Sequence, residues 1–256
     1  SMTTKEIAEK LNENKWYRKA DGSLITPYQI YGRAKGYPEL FYCEGSTISL
    51  KGSTTRKIAF ERTSKQHVRI SQNTVKDSVL VEKMLMNKQN FKSAKDVDGF
   101  VPQASGLYCI RIKNVHLLPE PFGTILLERG HDILYIGIAS ENLYNRFLNQ
   151  ELRAKGHGTF FRSMGAVLGY KPPKGSLIEK RNKKNYKFSK TDELKIIGWI
   201  NENLMVNWVE SAGDLDSLET SLIVKYLPLL NLSKNPAALQ ILSYLRKECV
   251  EIANRN

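Results

Sequence analysis

Gly106-Leu107-Tyr108-Cys109-Ile110-Arg111-Ile112 and Ile133-Leu134-Tyr135-Ile136-Gly137-Ile138-Ala139 are the two stretches on which the reading of this chain turns. Both are short apolar runs rich in β-branched and aromatic residues, and Gly130-His131-Asp132 precedes the second as a turn. Both therefore read as strands. Alternation with period two groups Tyr108, Ile110 and Ile112 on one face of the first, and Ile133, Tyr135 and Gly137 on one face of the second. A helix start follows at once, with Ser140 as N-cap and Leu143, Phe147 and Leu148 as its buried stripe. Arg146 sits beside that stripe.

A second helix, from Leu215 to Leu227, carries an acid where a helix buries its apolar side. At about 3.6 residues per turn, Leu215, Leu218, Leu222 and Tyr226 form one stripe and Glu219 falls inside it. A buried carboxylate is costly unless a cation or hydrogen-bond donors compensate it. A divalent ion supplies that compensation, and a hard cation such as Mg²⁺ is held by one or two carboxylates with waters and phosphate oxygens. A glutamate at the edge of the stripe, paired with a Lys or Arg, satisfies the same helix.

The first fifty residues read as a separate unit. Thr3 and Glu6 fit a capping box, followed by Ile7, Ala8 and Leu11 as a short apolar stripe. Thr26-Pro27-Tyr28-Gln29 is a second box, with Pro27 at the first helical position and Gly36 as the stop. Strands Leu40 to Cys43 and Thr47 to Leu50 follow, joined around Glu44-Gly45. Helix, helix, hairpin is the order of a winged helix-turn-helix. If the helix Thr26 to Lys35 enters a groove, Tyr28, Gln29, Arg33 and Lys35 are its contacts. The bland alternative is a compact protein-binding adaptor.

The domain reading is 1–52 for this unit, 53–95 for a linker and connecting helix, and 96–256 for the large domain. Lys51 to Thr55 is linker-like, Ile58 to Ile70 is polar and basic, and Thr74 to Leu85 has a helical apolar pattern at Val75, Val79, Leu80 and Met84. Met84 and Met86 read as packing residues. Gly156 to Tyr170 reads as a loop and then a helix around Phe160 to Leu168, with Arg162 either a phosphate contact or a solvated charge. Lys171 to Lys190 holds eight Lys or Arg and one acid, Glu179, with Tyr186 and Phe188 interleaved. Pro172-Pro173 and Gly175 argue against a continuous helix there. Lys180, Arg181, Lys183 and Lys184 are its candidate DNA-backbone contacts, with a solvated charge run as the alternative. Pro236 to Ala253 reads as a capping helix.

Composition narrows the partners. Thirty-nine Lys and Arg against 26 Asp and Glu give a formal charge of +13, which favours a polyanion through counterion release. Cys43, Cys109 and Cys249 lack metal or disulfide spacing, so a reducing, cytoplasmic setting is expected. No apolar run is long enough to span a bilayer, no secretion signal is expected, and Ser1 before Met2 reads as a tag scar.

In order, the chain carries G-L-Y at 106–108, Y-I-G at 135–137, N-L-x-x-R ending at Arg146, and L-E-x-x-L-I-x-x-Y-x-P-x-L-N ending at Asn231. This set resembles the GIY-YIG nuclease superfamily, with Leu107 in place of the middle Ile, over roughly Val101 to Pro236. The resemblance implies an α/β (α+β) fold, a small antiparallel sheet flanked by helices. It implies a restriction-type endonuclease using Mg²⁺ (or Mn²⁺) on double-stranded DNA. Glu219 would hold the metal, Tyr108 would orient the water or take its proton, and Tyr135 would support that network. Arg146 would bind the scissile phosphate and Asn231 would hydrogen-bond the site into shape. A tyrosine with a pKa of about 10 is a poor base at neutral pH, so a bound metal or Lys155 would have to lower it. Many members carry a His a turn after the motif Arg; here stand Asn149, Gln150 and Glu151, and His157 is the nearest substitute. Asn114 to Gly130 is an insertion between the motif strands, as in restriction-type members. The N-terminal TTKEIAEKL and TPYQIYGRAKGYPELF resemble the HARE-HTH module, which is thought to bind DNA. The alternative is a DNA-binding regulator with an inactive nuclease fold; an RNA-directed nuclease is a third. Two cuts on a duplex would need a homodimer or sequential nicking.

Overall fold

A computed structural model of the chain describes residues 2–13, 24–35, 37, 41–44, 46–50 and 78–256. The linker at Lys51 to Thr55, the basic stretch to Ile70, Val75, and the turn residues Gly36 and Gly45 lie outside the described residues. The chain divides into two compact units, Ser1–Ser64 and Lys65–Asn256.

In the first unit, β1 (Met2–Thr3) leads into α1 (Thr4–Glu13), then α2 (Pro27–Lys35), β2 (Phe41–Glu44) and β3 (Thr47–Leu50). Both capping boxes form. The Glu6 N–H donates to Thr3 Oγ1 at 3.2 Å and the Thr3 N–H to Glu6 Oε2 at 2.7 Å. The Gln29 N–H donates to Thr26 Oγ1 at 3.4 Å, with Gln29 Oε1 accepting from the Thr26 N–H at 3.1 Å. The hairpin gains a partner the sequence did not suggest, because β1 pairs antiparallel with β3. Ala8, Ile25, Ile30, Ala34 and Ile48 form its small core.

The second unit is built on an antiparallel sheet of order β4-β7-β5-β6. β4 is Lys92–Ser93, β5 Gly106–Ile112, β6 Ile133–Ala139 and β7 Leu204–Glu210. The two expected strands are neighbours, and the centre of the sheet is shared with β7. β7 and the preceding α6 (Lys190–Asn203) are not among the elements expected from the sequence, although Leu204, Val206 and Trp208 alternate with their neighbours. β5 is buried on both faces, so its run is continuously apolar apart from Arg111.

Helices cover both faces. One face carries Tyr108, Ile110, Tyr135 and Val206 into a large core with a helix at Tyr144–Leu152, α5 (Thr159–Val167), α6 and α8 (Gln240–Asn254). The other carries Leu107, Cys109, Ile136 and Val209 against α3 (78–86) and α7 (Leu215–Tyr226). α3 lies within the expected connecting segment but packs by a different side. Val79, Leu80 and Met84 are exposed, whereas Leu85 is fully buried and Val81 and Met86 pack beside it. Asn207 on β7 fixes this choice: its Nδ2 donates to the Met84 and Leu85 carbonyls at 2.9 and 2.8 Å, closing the helix end. The insertion between β5 and β6 forms a 3₁₀ turn at Val115–Leu117 and α4 (Phe122–Glu128). No helix among the described residues is long and apolar enough to cross a membrane.

Candidate active site

The two tyrosines meet because of register. Tyr108 lies opposite Gly137 and Ile110 opposite Tyr135, so all four occupy one face and the tyrosines are diagonal neighbours. Their rings stack with centroids 6.2 Å apart, and Phe147 lies 4.7 Å from the Tyr108 ring on its other side. Both motif glycines answer to close approach. A Cβ on Gly137 would stand 2.5 Å from the Tyr108 hydroxyl and 2.6 Å from its Cζ. A Cβ on Gly106 would stand 2.3 Å from the Val209 carbonyl oxygen on β7.

Arg146 and Glu151 come from the helix Tyr144–Leu152, which is a π-helix. Its cap is not Ser140: the Asn142 side chain accepts from the Asn145 N–H at 3.0 Å. Bonding of i to i+5 lays Arg146 and Glu151 one turn apart, and Arg146 Nη2 reaches Glu151 Oε1 at 3.1 Å. Its Nη1 donates to Gln150 Oε1 at 3.0 Å, and the side chain stays 35% exposed beside a surface cleft with Asn142 and Asn145. Glu151 is fully buried. It accepts the Tyr108 hydroxyl at 3.3 Å and the N–H groups of Phe160 and Phe161 at 2.8 and 3.2 Å. Burial raises its pKa, against the opposing pull of Arg146 and of the Phe160 and Phe161 N–H groups. In the sequence, Glu151 stands out only as one of the three residues where the family His is missing.

The tyrosines run against expectation in one respect. Burial first, and Glu151 second, push Tyr108 well above the ordinary phenol value, and the same two causes raise Tyr135. Lys155 is exposed and does not figure among the causes of either shift. In the protein alone both phenols are protonated at neutral pH, so they serve as donors and orienters, not as phenolate bases.

Glu219 and Asn231 reach the same place from the other layer. Beside β6, the outer strand of the sheet, lies a cavity of about 300 Å³ lined by Tyr135, Thr159, Glu219, Asn231, Lys234 and Arg246, among others. Asn231 pins the loop after α7 to β6: its Oδ1 accepts the Ile136 N–H at 3.0 Å and its Nδ2 donates to the Ile136 carbonyl at 2.8 Å. Leu229 and Leu230 donate to the Ile133 and Leu134 carbonyls, so the strand edge is covered. Arg129 holds the same loop through the carbonyls of Leu227, Pro228 and Ala237.

Glu219 is 14% exposed and pairs with Lys234 at 2.8 Å, and Lys234 also meets Asp216 at 2.5 Å. The basic partner considered for a glutamate at the stripe's edge therefore exists, on the loop after the helix. Burial works against the Lys234 charge, but its hydrogen bonds to Asp216 and Glu219 prevail and raise its pKa. Among the described residues no hydrogen bond engages Glu219 Oε1, and no group of three or more His, Cys, Asp or Glu gathers. One carboxylate facing a polar cavity fits a hard divalent ion that keeps its waters and takes phosphate oxygens.

The other candidates sit elsewhere. His157 is buried, with Nε2 accepting the Phe188 N–H at 3.3 Å and its ring edge-on to Phe161. Burial lowers its pKa to about 4 despite Glu193 nearby. It does not line the Glu219 cavity, so it packs as a neutral core histidine. Arg162 is only 9% exposed within α5, which is buried along its length, so it is neither a surface contact nor a solvated charge. In the basic stretch Tyr186 and Phe188 are core anchors, not stacking platforms for bases. Lys180, Arg181, Lys183 and Lys184 are exposed, but Lys183 Nζ is held by the Leu177 and Ile178 carbonyls. Tyr28, Gln29, Arg33 and Lys35 are exposed on α2 of the first unit. Lys234 and Arg246 were missed because each approaches the site from a loop or helix whose pattern shows only packing.

Tyr135, Glu219 and Asn231, scattered along the sequence, thus line one cavity, while the fully buried Tyr108 stacks on Tyr135 and Arg146 opens on a second cleft. A family model described as the GIY-YIG catalytic domain matches residues 106–248, from the first residue of β5 into α8. The chain belongs to the GIY-YIG family. Searches of curated proteins and of solved structures give no significant match. The GIY-YIG domain points to nuclease activity, and the match covers β7 and α6 as well as the motif strands.

Proposed function

We propose that the chain is a metal-dependent DNA endonuclease of the restriction and defence type, with its first unit as a winged-helix DNA reader. The observation that carries the reading is the convergence of Tyr135, Glu219 and Asn231 on one cavity, with Tyr108 stacked on Tyr135 and tied through Glu151 to Arg146, which opens on a second cleft. Phosphodiester hydrolysis needs an oriented water, stabilisation of charge on the phosphate, and help for the leaving oxygen. Glu219 would hold the ion, Mg²⁺ or Mn²⁺, which when bound supplies charge neutralisation at the phosphate. Arg146, with part of its guanidinium free toward solvent, would bind the scissile phosphate. Tyr108 and Tyr135, held protonated, would orient the water, and Asn231 would keep β6 and the α7 loop in register around it. The overall +13 charge supports a polyanionic substrate. The exposed Tyr28, Gln29, Arg33 and Lys35 support the reader role; replacing the four together should change the ranking of DNA targets, and an unchanged ranking removes that role.

Glu219→Gln tests the nuclease reading. The amide keeps size and hydrogen-bonding capacity but removes the charge. Metal-dependent plasmid nicking should fall by about three orders of magnitude or more, a loss expected when an electrostatic centre is removed. DNA affinity and melting temperature should stay near wild type, and added Mg²⁺ should restore little. Nicking at the wild-type rate would make Glu219 a partner of Lys234 only, and would return the inactive-regulator reading to first place.

A further inference from the structure

The buried carboxylate of Glu151 is surrounded by features that favour a charge at this position. Four donors converge on its two oxygens: Arg146 Nη2 and the Tyr108 hydroxyl on Oε1, and the Phe160 and Phe161 N–H groups on Oε2. The last two belong to the first turn of α5, where N–H groups lack partners in the helix and a negative charge is favoured. Room for the carboxylate comes from Gly158, at which a Cβ would meet the Glu151 oxygens and Cδ at 2.0 to 2.5 Å. Its alignment with Arg146 comes from nine residues of π-helix, a form that is rare and concentrated at functional sites. In an α-helix the neighbours of Arg146 would be residues 149 and 150, and Glu151 would be turned away. A position wanted only for packing would be filled at less cost by an apolar side chain.

We propose that Glu151 is a positioning residue of the catalytic centre, an inference that rests on the nuclease reading. Its carboxylate fixes the Tyr108 hydroxyl as a donor and holds that fully buried ring in its stack on Tyr135, which lines the Glu219 cavity. The same oxygen holds Nη2 of the Arg146 guanidinium while Gln150 accepts from Nη1, which leaves the remaining N–H groups for phosphate. Glu151 therefore couples the two groups to each other and ties both to the end of α5. An amide cannot replace it, because both oxygens face donors and one end of a glutamine would present N–H groups to them.

The test is single-turnover nicking and DNA affinity for wild type, Glu151→Gln, Glu151→Asp, Tyr108→Phe and the Glu151→Gln/Tyr108→Phe double variant. Glu151→Gln should lose about a hundredfold in rate with affinity changed less than about threefold. Glu151→Asp keeps the charge but retracts it by one methylene, and should lose roughly tenfold or more. The double variant should fall well short of the product of the two single losses, the mark of residues acting as one unit. Multiplicative losses, wild-type rates in Glu151→Gln, or rate losses that track a fall in melting temperature in both Glu151 variants would each overturn the proposal. A wild-type chain that nicks no DNA with Mg²⁺ or Mn²⁺ overturns the nuclease reading and this inference with it. A nicking wild type with an indifferent Glu151→Gln overturns this inference alone.

Discussion

Asn231→Ala separates a residue that shapes the site from one that touches substrate. The Asn231 side chain is 4% exposed and spends its amide on the backbone of Ile136, accepting the N–H at 3.0 Å and donating to the carbonyl at 2.8 Å. Truncation leaves two buried backbone groups of an edge strand without partners. Each such group costs about 1–3 kcal/mol. Asn231 also lines the cavity beside Glu219, so water can reach the exposed groups, and about 2–3 kcal/mol for the pair is expected. A unit of this size loses about 2–4 °C per kcal/mol, which puts the fall in Tm at roughly 5–10 °C. Tyr135 is the neighbour of Ile136 and lines the same cavity, so nicking should fall by up to about a hundredfold through misplacement alone. Calorimetry gives the first quantity, and amide hydrogen exchange at Ile136, which should lose protection, gives the cause. A Tm within about 2 °C of wild type together with unchanged protection at Ile136 refutes the reasoning. If nicking nevertheless vanishes in that case, Asn231 contacts substrate and does not act through β6.

Two further outcomes follow from groups outside the cavity. Neutralising Lys180, Arg181 and Lys184 should make the log–log salt dependence of DNA binding shallower by about 2–3 units, measured by anisotropy over a salt series; an unchanged slope makes the stretch a solvated charge run. Adding Lys183 to that set should change the slope little further, because its ammonium is already held by carbonyls. His157 titrates at about 4 when folded against 6.5 in its ordinary state. The unfolded chain therefore binds the proton first, and stability should fall as pH drops from about 6.5 toward 4, by at most about 3 kcal/mol. Urea midpoints at pH 7 and pH 5 check this, and His157→Asn, which tolerates the positive φ of 56° at this position, should show a smaller difference. An equal pH dependence in the variant would mean that other groups carry it.

The motif strands, the α7 stripe and the two N-terminal capping boxes were legible in the sequence because each rests on local periodicity and turn chemistry. Gly106 and Gly137 could be quoted from the sequence, but only strand pairing explains them: the obstacles are the Val209 carbonyl and the Tyr108 ring, and both come from other strands. β7 escapes the sequence because Met205 and Asn207 blur its apolar alternation, and its place at the sheet's centre depends on pairing with both β4 and β5. The buried side of α3 was misassigned because several apolar stripes were available, and Asn207 chooses among them from another element. Arg162, Tyr186, Phe188 and His157 look like surface or site residues in a basic context, and burial by α6 and α8 decides otherwise. Glu151 is the sharpest case. Sequence spacing assumes α-helical turns, in which Arg146 and Glu151 do not meet; the change to i→i+5 bonding sets them face to face. Sequence alone determined which chemistry-bearing residue types the chain carries and their order, since those depend on neighbours a few residues away. Tertiary structure decided which of them share a cavity, which are neutral and which are buried, since those depend on distances between residues far apart in the chain.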